Sequence, residues 1–127
     1  MGWNTHAAGL THRVDNPYPH LRQYVFSRSH GPREAPPNIT VTVENPVAVV
    51  QRLKTQTSAT GIWLCGGGRL ASTLIDHIDR LVFKVNPVVF GSGIPLFAAY
   101  GYRPRNFHLV ASTCYRSGVV FNDYTRH

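Results

Sequence analysis

A short apolar run, Ile62-Trp63-Leu64-Cys65, ends in three consecutive glycines, Gly66-Gly67-Gly68, and a helix-patterned segment follows at once from Arg69 and Leu70. This junction restricts the fold more than any other part of the chain. Glycine lacks a Cβ, so a triplet at the mouth of a strand lets backbone N–H groups approach a large anion. The helix behind it adds unpaired N-terminal donors and the positive end of its dipole. In outline this is a phosphate cradle, although a bare triplet also serves as a tight turn.

The order of elements around the triplet sets the fold class. Residues 2–12 suit a short helix before the turn signals Asp15-Asn16-Pro17 and Pro19. Tyr24-Val25-Phe26 is a strand core ending in Ser27-Arg28, Gly31–Asn38 reads as a loop, and Ile39–Val43 alternates with period two. Asn45 suits a helix N-cap and Pro46 the first helical position, with Val47, Val50 and Leu53 recurring on one side. Thr57–Gly61 leads back to the strand Ile62–Cys65. After the glycines, Leu70, Ala71, Leu74, Ile75 and Ile78 fall at helical spacing, and Leu81–Val85 with Val88-Val89-Phe90 forms the next strand. This βαβ rhythm predicts parallel pairing through right-handed crossovers. Phe107–Tyr115 and Val119–Tyr124, joined by Arg116-Ser117-Gly118, predict an antiparallel hairpin. The expected class is α/β, a mixed, mostly parallel sheet flanked by helices.

Composition narrows the function classes. At 127 residues, one domain burying about two-thirds of its unfolded surface is expected. With 43% hydrophobic and 15% charged residues, the chain reads as ordered and globular. No apolar run approaches the roughly 20 residues of a membrane span, and no secretory signal is visible, so cytoplasmic residence without membrane attachment is expected. Cys65 and Cys114 sit in strand-like runs and read as buried free thiols. The formal charge of +7 comes from scattered basic residues with few acids to balance them. That pattern suits a groove for a phosphorylated small molecule better than a nucleic-acid surface.

Other chemistries find little support. Gly91-Ser92-Gly93 lacks the glycine spacing of a nucleophile elbow. The seven histidines show no pair at i, i+4 and no companion ligand spacing, so no metal site is expected. Asp76 and Asp79 read as surface or capping groups.

Five strings, in order, carry a resemblance: Tyr24–Arg28, Ile62–Ala71, Ile78–Leu81, Asn86–Phe97 and Ser117–Val120. Together they resemble the dihydrofolate-reductase-like fold. Within it, they are similar to the riboflavin-biosynthesis reductase domain, the C-terminal half of bifunctional deaminase-reductases and its stand-alone relatives. The resemblance implies a reductase that uses NADPH. By the same resemblance, Gly66, Gly67, Gly68, Arg69 and Leu70 would hold the pyrophosphate. Ser27 and Arg28 would sit near the adenosine 2′-phosphate, where a hydroxyl beside a guanidinium favours NADPH over NADH. Gly2 and Thr5 match the end of a Gly-x-x-Thr segment that also meets the phosphates, and Trp3 stands where that segment commonly has a basic residue.

Family members carry a strand, a substrate-facing loop, a helix and a further strand ahead of that segment. Here the match starts at Met1, and no proton donor can be nominated among the 127 residues. Three accounts of this stay open: a start assigned too far downstream, a degenerate gene, or a partner chain that completes the sheet. The implied reaction opens the ribosyl ring of a phosphorylated aminopyrimidine, as a 5-amino-6-(5-phosphoribosylamino)uracil reductase does; a pterin-like substrate is the stand-alone variant. The alternative is a non-catalytic remnant acting through a homodimer or a partner chain.

Overall fold

The computed structural model describes residues 1–31, 35–56, 60–98 and 104–126. The loops expected over Gly31–Asn38 and Thr57–Gly61 therefore lie partly outside the described residues, as does His127. The chain forms two compact units: residues 1–75 with 95–98, and residues 76–94 with 104–126.

Alternation builds the first unit. On β1 (Gln23–Phe26) the side chains of Gln23 and Val25 are buried, and on β2 (Ile39–Thr42) those of Ile39 and Val41, with Thr42 buried beside them at the strand end. The two strands pair in parallel, Gln23 opposite Ile39 and Phe26 opposite Thr42. Val25, Ile39 and Val41 form one core cluster, onto which Met1, Trp3 and Ala35 pack. Trp3 opens α1 (Trp3–Thr11), which is capped by His12, its N–H bonded to the Gly9 carbonyl oxygen (3.0 Å), with Arg13 in the left-handed region (φ 59°). A second cluster joins Val50, Leu70 and Leu74, with Phe26, Val47 and Leu64 against it. It belongs to α2 (Pro46–Lys54) and α3 (Gly68–Thr73), the latter followed by a 3-10 turn at Ile75–His77. Val25 and Val49 are wholly buried, and each contributes roughly 1.5–3 kcal/mol by leaving water.

The loop before β1 is tied by amides. Gln23 Nε2 donates to Asn16 Oδ1 (2.8 Å) and the Tyr18 carbonyl oxygen (3.0 Å), and Asn38 Nδ2 donates to the Leu21 carbonyl oxygen (2.9 Å). These bonds replace the ladder that an irregular segment cannot make for itself.

The second unit is an antiparallel sheet ordered β3 (Arg80–Val85), β5 (Val120–Thr125), β4 (His108–Cys114). Gly118 closes the β4–β5 hairpin at φ 80°, its N–H bonded to the Tyr115 carbonyl oxygen (2.9 Å). A register shift between Leu109 and Ala111 adds one residue to β4.

The α/β class and the C-terminal hairpin are as the sequence predicts; several local expectations are not. Ile62–Cys65 carries no strand ladder, and Val88-Val89-Phe90 does not extend β3: Val89 is 95% and Phe90 83% exposed. β3 pairs antiparallel with β5 rather than parallel through a crossover, so parallel and antiparallel pairing fall in separate sheets. Hydrophobic period selects the kind of element, but the partner is selected by tertiary packing. The buried stripe of α2 centres on Val49 and Val50, leaving Val47 and Leu53 half-buried. Both cysteines are free, but Cys65 is half-buried and Cys114 exposed, against the expectation of two buried thiols.

Candidate cofactor-binding site

Three segments of the first unit meet where β1 ends. Gly2 donates its N–H to the Gly66 carbonyl oxygen (2.9 Å) and bridges Phe26 in parallel, while the Phe26 N–H goes to the Met1 carbonyl oxygen (2.9 Å). Met1 and Gly2 thus run between β1 and the glycine turn. From this point two helices start, with Gly2 as the N-cap of α1 and Gly67 as that of α3; neither cap uses a side chain.

The glycines are needed for different reasons. Gly66 has φ 113°, a region that side chains disfavour. A Cβ on Gly67 would lie 3.4 Å from Thr5 Oγ1, so the hydroxyl of α1 faces the bare turn. A Cβ on Gly68 would collide with the Pro95 carbonyl oxygen and press on Ala98, whose N–H bonds the Gly68 carbonyl oxygen (3.1 Å). In α3 the first ladder bond runs from Ala71 N–H to the Gly67 carbonyl oxygen (3.0 Å). The N–H groups of Gly68, Arg69 and Leu70 precede it, which is the ordinary donor set of a helix start.

The predicted residues divide accordingly. Gly2, Thr5, Gly66, Gly67 and Gly68 are brought together, and Ser27 follows Phe26 directly beside Gly2. Arg28 and Arg69 are exposed, and among the described residues neither side chain has a hydrogen bond or ion pair. Leu70 faces the core, 8% exposed, and offers the site only its backbone. None of the nine predicted residues is itself a carboxylate. Of the acids, Glu44, Asp76 and Asp123 pair with Arg52, Arg105 and Arg80, and hydrogen bonds from those guanidinium groups hold Glu44 and Asp123 below the usual carboxylate range. Bare N–H groups, a hydroxyl and exposed guanidinium groups suit a dinucleotide phosphate.

Sequence reasoning missed two neighbours. The Trp3 ring stacks on His30 with centroids 3.8 Å apart and planes 13° apart. Tyr18 meets Trp63 edge-on at 4.9 Å, and its hydroxyl lies 3.9 Å from Cys65 Sγ, a contact that raises the Tyr18 phenol above its ordinary pKa. Both contacts join residues far apart in sequence, and only the anomalous Trp3 in the Gly-x-x-Thr segment signalled one of them.

With this geometry in place, comparison with known proteins is direct. The profile of the RibD C-terminal domain matches residues 7–121. The chain belongs to the RibD C-terminal domain family. It is 39% identical over 83 residues to the uncharacterized protein YwjB of Bacillus subtilis (strain 168), covering 64% of this chain and 47% of that one. It is 34% identical over 101 residues to YyaP of the same organism, covering 78% and 52%. The chain thus spans about half the length of the curated relatives it matches. Among solved structures it is similar to a Shewanella sp. PV-4 protein assigned to riboflavin biosynthesis, with a TM-score of 0.75 and 21% identity, covering 100% of this chain and 72% of that one. It is also similar to the Thermotoga maritima diaminohydroxyphosphoribosylaminopyrimidine deaminase/5-amino-6-(5-phosphoribosylamino)uracil reductase, with a TM-score of 0.59 and 18% identity, covering 82% and 30%. These likenesses establish the dihydrofolate-reductase-like fold. In this RibD C-terminal domain, among the described residues, no helix is long and apolar enough to cross a membrane.

Proposed function

We propose that this RibD C-terminal domain binds NADPH and serves a reductase of the riboflavin-biosynthesis type. The observation that carries the reading is the convergence of Gly2, Thr5 and Gly66–Gly68 at the starts of two helices, beside Ser27 at the end of β1. The reductase named for the Thermotoga protein supplies the substrate class, a phosphorylated aminopyrimidine, with a pterin-like ring as the stand-alone variant.

In this reading the N–H groups of Gly68, Arg69 and Leu70 donate to the pyrophosphate, Thr5 Oγ1 donates from α1, and Arg28 balances charge at the adenosine end. NADPH, when bound, supplies the hydride at its nicotinamide C4. The chain's contribution is to hold that cofactor in one orientation, which converts an encounter into a positioned reaction. No group among the nine predicted residues is an acid that could deliver a proton. A second reading, cofactor binding without turnover by this chain alone, follows from that lack. The two free thiols accord with a reducing, cytoplasmic setting. The proposed assembly is a homodimer, without nucleic acid or membrane.

Titrating the chain with NADPH and following intrinsic tryptophan fluorescence and thermal stabilisation tests the binding. A saturable response is expected, and its absence at millimolar NADPH would overturn the proposal. Absorbance loss at the nicotinamide band on adding the aminopyrimidine separates turnover from binding alone.

A further inference from the structure

We propose that the cleft between α1 and β2 is a second small-molecule site, separate from the glycine cradle, and that it takes a planar aromatic cation of a single ring. Trp3, His6 and Leu10 from α1, with Asp15, Ala35, Pro36 and Val41, line a cavity of about 250 Å³. That volume falls below the roughly 300–1,000 Å³ of drug-sized sites, so one ring with a short substituent fits and a dinucleotide does not. The cleft also lies away from the cradle. There α1 presents Gly2 and Thr5, whereas Leu10 and Asp15 stand at or beyond its opposite end.

The lining sets the chemistry of the occupant. The rings of Trp3 and His6 have centroids 5.6 Å apart and planes 59° apart, an aromatic corner against which a flat ring packs. Leu10, Ala35, Pro36 and Val41 supply the apolar remainder of the wall. Charge decides the sign. None of the chain's 13 lysines and arginines lines the cavity, and Asp15 does. Among the described residues the Asp15 carboxylate has no hydrogen bond or ion pair, so it is available to a ligand. Leu10 lies in the last turn of α1, where the carbonyl groups carry the negative end of the helix dipole. His12 and Arg13 beyond that turn are exposed and do not line the cavity. Aromatic faces add their own attraction for a cation. Carboxylate, helix end and ring faces all favour positive charge here, in a chain whose net +7 otherwise favours anions.

The test uses the full chain at pH 8, above the ordinary imidazole range, and follows the indole N–H signals of its two tryptophans by NMR. Trp63→Phe assigns which signal belongs to Trp3. The probes are benzamidinium, benzyl alcohol and benzoate, one ring each with positive, neutral and negative charge. Benzamidinium should shift the Trp3 signal saturably in the millimolar range and leave that of Trp63 in place, with benzyl alcohol weaker and benzoate without effect. Asp15→Asn should weaken benzamidinium about two- to fivefold, the size of an exposed charge contact, and leave benzyl alcohol unchanged. Glu44→Gln, which removes a carboxylate outside the cavity, should leave both probes unchanged. Three results would each overturn the site: no saturable shift of Trp3 with benzamidinium, benzoate binding as well as benzamidinium, or Asp15→Asn binding it as the wild type does.

Discussion

Gly67 and Gly68 are adjacent and chemically identical, yet substitution should affect them differently. At Gly68 a methyl meets the Pro95 carbonyl oxygen, a backbone atom that cannot step aside. Gly68→Ala should destabilise the fold by about 1–3 kcal/mol, read as a lower urea midpoint. At Gly67 the methyl lies at ordinary contact distance from Thr5 Oγ1. Gly67→Ala should change stability by less than about 1 kcal/mol while weakening NADPH roughly tenfold or more, because it fills the cradle. Denaturation and fluorescence titration of the two variants would separate support of the fold from binding. The triplet's importance was legible in the sequence, since only glycine serves such an approach. The His30 stack on Trp3 was not, because nothing local links residues 27 positions apart.

At the scale of elements, caps and charge pairs give the measurable effects. Asn45 Oδ1 accepts the N–H of Val47 (2.8 Å) and Ala48 (3.4 Å), so Asn45→Ala should cost about 1 kcal/mol and Asn45→Asp little, by thermal unfolding. Arg13 holds φ 59° just past α1, and Arg13→Gly should stabilise by up to about 1 kcal/mol in the same assay. In the second unit Arg80 Nε donates to Asp123 Oδ1 (2.8 Å), joining β3 to β5 and holding Asp123 below the usual carboxylate range. A depressed carboxylate contributes stability that is present above its unfolded pKa and is lost as pH falls through the folded one. Asp123→Asn should therefore flatten the acid limb of the stability curve and leave the fold's behaviour at alkaline pH unchanged. The cap at Asn45-Pro46 was readable because helix starts use local side chains. The antiparallel partner of β3 was not, since Leu81–Val85 reads the same in either pairing.

Across the whole molecule, charge and exposed apolar surface set solubility and association. The +7 charge comes from scattered arginines and two lysines, and among the described residues Arg52, Arg80 and Arg105 are held in ion pairs. In the second unit, β3 and β4 each pair on one side only among the described residues, and Val82, Val85, Leu109 and Val110 are half or more exposed. Unpaired strand edges with apolar residues favour association. Sedimentation velocity over a tenfold range of concentration should show a dimer, as proposed above; a concentration-independent monomer would remove that assembly.

By itself, the sequence determined the α/β class, the helix starts, the C-terminal hairpin and the residues of the glycine turn. Each rests on local chemistry: backbone freedom, capping side chains and hydrophobic period. Tertiary structure alone decided that β3 belongs with β5, that Ile62–Cys65 stands without a ladder, and that Ser27 turns its hydroxyl inward to His30. Those outcomes depend on which surfaces meet, and a strand or a hydroxyl carries the same local pattern whichever partner it finds.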